Sequence, residues 1–164
     1  MKFTLLDRIL SIKPNKLIKA AKSLSLGEDY LADHFPGNPV MPGVLQLEAM
    51  AQAAAWLLRV SKNFSCSMVV LSEGKNIRYG KFVAPGDTLI VEVKMGQEEG
   101  DTVWFFGKGY VDGNVVVKGQ FALRYYNLAD KDGSLAHTDK LLIEAARAKF
   151  RALGGEKLLQ EASP

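Results

Sequence analysis

The sequence predicts an α+β fold in which one long central helix is wrapped by an antiparallel sheet of about six strands. Between Pro42 and Val60 nearly every residue is apolar, Val44, Leu45, Leu47, Ala49, Met50, Ala51 and Ala53 among them. No broad polar face remains, so the helix reads as buried on nearly all sides. Beyond it the hydrophobic period changes to two, and β-branched and aromatic residues dominate. Short turns separate these later segments, and strands joined by short turns pair antiparallel. A curved sheet covering most of the helix accounts for the missing polar side.

In order along the chain, Leu17 to Leu26 alternates lysine with apolar residues and reads as a strand. It leads through Gly27, Glu28 and Asp29 into a turn around His34. Pro42 suits the first helical position, where its missing N–H would have no partner. The strands that follow are Ser67–Leu71, Asn76–Val83, Thr88–Met95, Val103–Val111 and Val115–Tyr125. Between them stand Pro85-Gly86-Asp87, the loop Gly96–Asp101 and Asp112-Gly113-Asn114, the last a strong cue for a two-residue hairpin. After Asn127 a polar linker precedes Asp139–Leu153, where Ile143, Ala146, Phe150 and Leu153 line one helical face and Gly154-Gly155 is a natural stop. Residues 1–126 are therefore the folded domain. Residues 127–164 form a polar linker and an amphipathic C-terminal helix, expected to pack on its own sheet or on a neighbouring subunit. His137 reads as a solvated loop residue.

At 164 residues, 48% of them hydrophobic, the chain suits one domain with a substantial core. Its net charge of +3 comes from 21 basic and 18 acidic residues scattered along the chain, which argues against nucleic-acid binding. Cys66 alone allows no internal disulfide and fits a reducing compartment. Asp7 and Arg8 interrupt the N-terminal apolar run too early for a signal peptide, and the apolar helix is shorter than the roughly 20 residues that span a bilayer. The expectation is a cytoplasmic protein with no membrane association. No Cys/His/Asp cluster has metal-ligand spacing and no phosphate-binding motif occurs, so neither metal nor cofactor is expected.

The apolar helix holds a carboxylate, Glu48, with Gln52 one turn later on the same face. An ionised, unpaired carboxylate in such surroundings costs several kcal/mol, so Glu48 should be paired, open to a cavity, or protonated. The run HFPGNPVMPGVLQLEAMAQ, His34 to Gln52, resembles the active-site segment of FabZ-type (3R)-hydroxyacyl-[acyl-carrier-protein] dehydratases, enzymes of the hotdog fold. The likeness continues more loosely through Leu5-Leu6-Asp7-Arg8, Arg78-Tyr79, Ala84-Pro85-Gly86-Asp87 and Val111-Asp112-Gly113, covering residues 3 to 126. It implies a catalytic histidine at His34, a catalytic acid at Glu48 and a backbone donor at Gly43. It also implies an acyl carrier protein as partner and a homodimer as the smallest catalytic unit, often assembled into a trimer of dimers.

The residue types suit that chemistry. Eliminating water from a β-hydroxyacyl thioester needs a base for the α-proton, and neutral imidazole serves. It also needs an acid for the hydroxide, and a carboxyl with a pKa raised by apolar neighbours serves there. The first N–H groups of the helix, at Gly43 and Val44, have no intrahelical partner and can receive the enolate oxygen. Glu48 lies five residues beyond Gly43, about 7 Å along the axis, farther than one substrate's thioester oxygen and β-hydroxyl are apart. A composite site follows, with His34 and Gly43 from one chain and Glu48 from another.

Gln52 is expected to orient the Glu48 carboxyl. Tyr79 and Phe82 are candidates for lining an acyl tunnel, which the resemblance places beside the strand Lys75–Phe82. Lys75, Arg78 and Lys81 on that strand are candidates for docking an acidic carrier. The chain departs from the family at Asp33, usually Gly, at Tyr79, usually Phe, and at Gly80-Lys81-Phe82, where the family is more basic. A hotdog thioesterase and a non-catalytic carrier-binding or scaffolding subunit are the alternatives. The intact His34/Glu48 pair weighs against both.

Overall fold

The computed structural model describes residues 4–161. The elements run β1 (Arg8–Lys13), β2 (Leu17–Ser23), α1 (Gly43–Ser61), β3 (Met68–Tyr79), β4 (Thr88–Glu99), β5 (Thr102–Val111), β6 (Asn114–Tyr126), α2 (Ala136–Ala152) and α3 (Gly155–Glu161). The strands form one antiparallel sheet in the order β1-β2-β4-β5-β6-β3, curved around α1 as the hotdog expectation requires. Alternate residues of the central strands, Leu89, Val91 and Val93 on β4 and Val103 and Phe105 on β5, are buried with Ala49, Met50, Ala53 and Leu57 of the helix. Gly107 and Gly119 are cross-strand partners on β5 and β6. A Cβ at Gly107 would stand 2.6 Å from the Met50 sulfur, so a glycine is what lets the sheet close on α1 there. No helix among the described residues is long and apolar enough to cross a membrane.

The sheet covers one side of α1 rather than nearly all of it. Val44 is 69% exposed, and Leu47, Glu48, Gln52, Ala55 and Arg59 are partly exposed along the stripe that follows. The apolar character of that stripe thus comes from a face this chain leaves open.

Several element boundaries differ from the sequence expectation. β1 was not anticipated: a bulge between Ile9 and Ser11 shifts its phase, so its buried residues Ile9 and Ile12 are three apart and show no alternation. The segments Ser67–Leu71 and Asn76–Val83 are one strand, β3, ending at Tyr79. Its bulges at Leu71/Glu73 and Lys75/Arg78 and its exposed side chains imitate a loop between two strands. β2 ends at Ser23 because Leu24 leaves the ladder to exchange backbone hydrogen bonds with Asp87 and Gly86. The Gly96–Asp101 loop shrinks to a tight turn with Gly100 at φ 63°, since β4 runs on to Glu99 through a bulge at Met95/Glu98. The hairpin at Asp112-Gly113 forms as expected, both residues having positive φ.

The tail is a fixed joint rather than a loose polar linker. Asp139 is buried and accepts hydrogen bonds from Ser67 Oγ and from the backbone N–H groups of Leu128 and Ala129, the latter two at 2.9 Å. Asn127 Oδ1 accepts from Ser67 N at 2.9 Å. Helix α2 packs on the flank of α1 rather than on the sheet: the Phe150 ring centroid lies 5.9 Å from Trp56 and 5.6 Å from Phe64. His137 stands exposed in the first turn of α2, not in a loop. After Gly154, at φ 81°, the chain turns into α3, which packs against β1. Leu153 O accepts the outward N–H of Ile9 at 2.9 Å.

Candidate active site

The turn that carries His34 is closed locally and then tied to the sheet. Phe35 and Asn38 exchange backbone hydrogen bonds at 3.4 and 3.0 Å, Val40 N donates to His34 O at 2.9 Å, and Met41 N donates to Val83 O at 2.8 Å. The His34 Nδ1 lies 3.1 Å from Val40 O. That carbonyl can only accept, so in the neutral imidazole Nδ1 carries the proton and Nε2 the lone pair. The imidazole stacks on Phe35 with centroids 4.2 Å apart, which fixes its plane.

Pro42 caps α1 without a side-chain hydrogen bond, and the first helical N–H groups to find backbone partners are those of Leu45 and Gln46, both donating to Pro42 O. The N–H groups of Gly43 and Val44 are thus the donors left at the positive end of the helix. A Cβ at Gly43 would stand 3.0 Å from the Tyr79 ring, so the missing side chain lets that ring lie against the helix start. Burial pushes the Tyr79 phenol up, keeping it a neutral hydrogen-bonding group. His34, Gly43, Tyr79 and Phe82 line one cleft of about 650 Å³ together with Met41, Gln46, Gly80 and Lys81. The cleft is within the usual size of a small-molecule site. Phe82 is 72% exposed at its mouth.

Glu48 does not line this cleft. Five residues turn the helix by about 140° net, which carries Glu48 away from Gly43 and onto the open stripe of α1 with Val44. There Gln52 Nε2 donates to Glu48 Oε1 at 2.9 Å, while Gln52 Oε1 accepts from Leu5 N at 3.0 Å. The amide is held at one end by the N-terminal backbone and holds the carboxylate at the other.

The three docking candidates do not form one patch. Lys81 lines the His34 cleft. Lys75 pairs with Glu73 at 3.0 Å and lies over the Trp104 ring at 4.3 Å. Arg78 sits directly across from Lys118, which faces Lys108, on the outer surface of the sheet. These cations and Lys94 border a second hollow of about 560 Å³ with Phe106, Asn76 and Gln120. Sequence reading missed Lys108 and Lys118, whose grouping depends on strand register. It also missed Gln46, a third polar residue in the apolar helix and visible as such in the motif.

A family model described as a FabA-like domain matches residues 1–120. The chain is 38% identical over 128 residues to the 3-hydroxyacyl-[acyl-carrier-protein] dehydratase FabZ of Caldicellulosiruptor saccharolyticus, a match spanning 74% of this chain and 89% of that protein. It is 38% identical over 138 residues to the protein of the same name from Myxococcus xanthus, spanning 83% of this chain and 88% of that one. Among solved structures, the dehydratase heterocomplex ApeI:P from Xenorhabdus doucetiae superposes with a TM-score of 0.66 over 82% of this chain and 90% of that one. The sequence identity there is 18%, so the likeness is one of fold.

Proposed function

Because the chain belongs to the FabA-like family and is a FabZ-type dehydratase of the hotdog fold, we propose that His34 and Glu48 are the base and acid with which it removes water from carrier-bound (3R)-hydroxyacyl thioesters. The observation that carries this reading is the division of the helix start. His34 and Gly43 line one cleft, the Gly43 and Val44 N–H groups at the helix start have no backbone partner, and Glu48, steadied by Gln52, faces out from the open side of the same helix.

His34 Nε2 takes the proton from the α-carbon, and the electron pair of that C–H bond moves toward the thioester, whose oxygen becomes enolate-like between the Gly43 and Val44 N–H groups. The pair then forms the Cα–Cβ double bond as the Cβ–O bond breaks. Glu48 protonates the departing oxygen, which leaves as water, and the product is the trans-2-enoyl thioester. Both groups reset by proton exchange with solvent, and the reaction is redox-neutral. The Glu48 that reaches this cleft comes from a second copy of the chain, a homodimer that forms the minimum unit of a larger trimer of dimers. Support for the pairing comes from the open stripe of α1 and from β3, an edge strand with an unpaired side.

The acidic acyl carrier lands on the cationic row Arg78, Lys118 and Lys108, one residue away from Tyr79 at the cleft, and Lys81 draws its phosphopantetheine arm inward. A cytoplasmic setting fits the buried, unpaired thiol of Cys66. The test is to incubate the purified protein with 3-hydroxyacyl- and crotonyl-carrier thioesters and to follow hydration, double-bond position and free thiol together. Reversible hydration without thiol release is expected. Thiol release would mark a thioesterase, and inertness toward both would mark a scaffolding subunit. His34→Ala and Glu48→Gln should each lower turnover by about 100-fold or more while the fold stays intact. Near-native turnover in either variant would remove that residue from its role.

A further inference from the structure

Gln46 lies one turn beyond Gly43 on α1, lines the His34 cleft, and is only 3% exposed. Its Nε2 reaches Met41 O at 3.4 Å, a long contact, and its Oε1 has no hydrogen-bond partner among the described residues. Around it the wall is made by Met41, Tyr79 and Phe82. A buried amide carbonyl with no donor costs about 1–3 kcal/mol, and buried polar groups in native proteins nearly always find a partner. Gln46 borders the cleft that, on the dehydratase reading, takes the acyl chain. Oε1 is already shielded from water, and a plain alkyl chain beside Gln46 would bring it no donor.

Gln46 stands about 4.5 Å farther along the helix axis than Gly43, which corresponds to a few bonds of an extended chain. With the thioester oxygen at the Gly43 and Val44 N–H groups, the part of the substrate level with Gln46 lies past the reacting carbons. The β-hydroxyl being eliminated points instead toward the Glu48 of the second copy. We propose that Gln46 is a specificity-determining residue that selects acyl chains carrying a second hydroxyl a few carbons beyond the one that is lost. That hydroxyl donates to Oε1 and converts a buried, unpaired acceptor into a satisfied one. The inference rests on the dehydratase reading above.

The test compares kcat/KM for a straight-chain 3-hydroxyacyl pantetheine thioester with chains of equal length bearing one further hydroxyl at C4, C5 or C6. The wild-type protein, Gln46→Leu and Gln46→Met are assayed side by side. Wild type should favour one of the hydroxylated chains by about tenfold, the effect of a single well-placed hydrogen bond to a buried group. Both variants should lose or reverse that preference while still dehydrating the plain chain. A wild-type protein that dehydrates all chains equally overturns the inference and leaves the dehydratase reading intact; one that dehydrates none overturns both. Equal loss on every chain in both variants would assign Gln46 to the eliminated hydroxyl, to water or to the partner subunit, and would also overturn it. So would preference for a keto group over a hydroxyl at the same carbon.

Discussion

At Gln52 a single amide spans two parts of the chain, and its removal separates positioning from chemistry. Gln52→Leu keeps the apolar packing of α1 but frees the Glu48 carboxylate that Gln52 now holds at 2.9 Å. Turnover should fall about tenfold with KM little changed, and the loss should vanish in a Glu48→Gln background, because residues acting through one another are not additive. Equal losses in both backgrounds would separate Gln52 from Glu48. Gly43→Ala offers the opposite contrast. Alanine is the better helix former by up to about 1 kcal/mol, so stability should hold or rise. Yet its Cβ would press on the Tyr79 ring, and activity should fall. A parallel fall in thermal midpoint would instead mean general damage. His34, Glu48 and Gln52 were legible in the sequence because their spacing lies within one short segment. The partition of His34 and Glu48 onto different sides of α1 was legible only as a length argument. Arg78, Lys118 and Lys108 were not legible as a row, because cross-strand neighbours depend on register that bulges in β3 and at Gly109/Tyr110 shift.

Among the elements, α2 is the one whose attachment can be tested most directly. Burial acts to raise the Asp139 carboxyl, but the hydroxyl of Ser67 and the amides of Ala129 and Leu128 outweigh it and hold the group below the ordinary carboxylate range. A depressed folded value means that the attachment is fully present above the unfolded carboxylate's pKa and is lost as pH falls through the folded one. Hydrogen exchange over α2, corrected for intrinsic rates, should therefore quicken in acid before the sheet opens. Asp139→Asn should flatten that dependence, and an unchanged profile would place the anchor elsewhere. Phe150→Ala should lower unfolding free energy by about 3 kcal/mol, since its ring fills the space between Trp56 and Phe64. The helical period made α1 and α2 readable in sequence. The strand period failed where bulges reset it, which hid β1 and divided β3. The latch at Asp139 was unreadable because Ser67 lies 72 residues away from it in the chain.

For the whole molecule, the proposed composite site predicts complementation. Chains carrying His34→Ala and chains carrying Glu48→Gln, co-refolded, should regain activity, because half the sites in a mixed dimer contain both groups. Confirmed heterodimers as inactive as their parents would put the site within one chain. The outer face adds a second expectation. Lys108, Lys118 and Arg78 face one another directly across three strands; Glu92 stands opposite Lys108 at one end, but Lys118 lies between two cations, which costs stability through like-charge repulsion. Salt should raise the thermal midpoint by screening it, and Lys118→Gln should raise the midpoint at low salt while weakening carrier binding. If Lys118→Gln left carrier affinity untouched, the landing surface would lie elsewhere.

The two borders of the sheet are finished differently. β1 is closed off by the Leu153 carbonyl and by α3, whereas β3 keeps an unpaired side. A sheet with both borders open can recruit copies without end, and one with neither cannot recruit at all. With one border open, a copy that joins through β3 uses up its own open side in the act, so growth terminates at two. By covering β1, the C-terminal tail would therefore confine pairing through β3 to two copies and not a fibre.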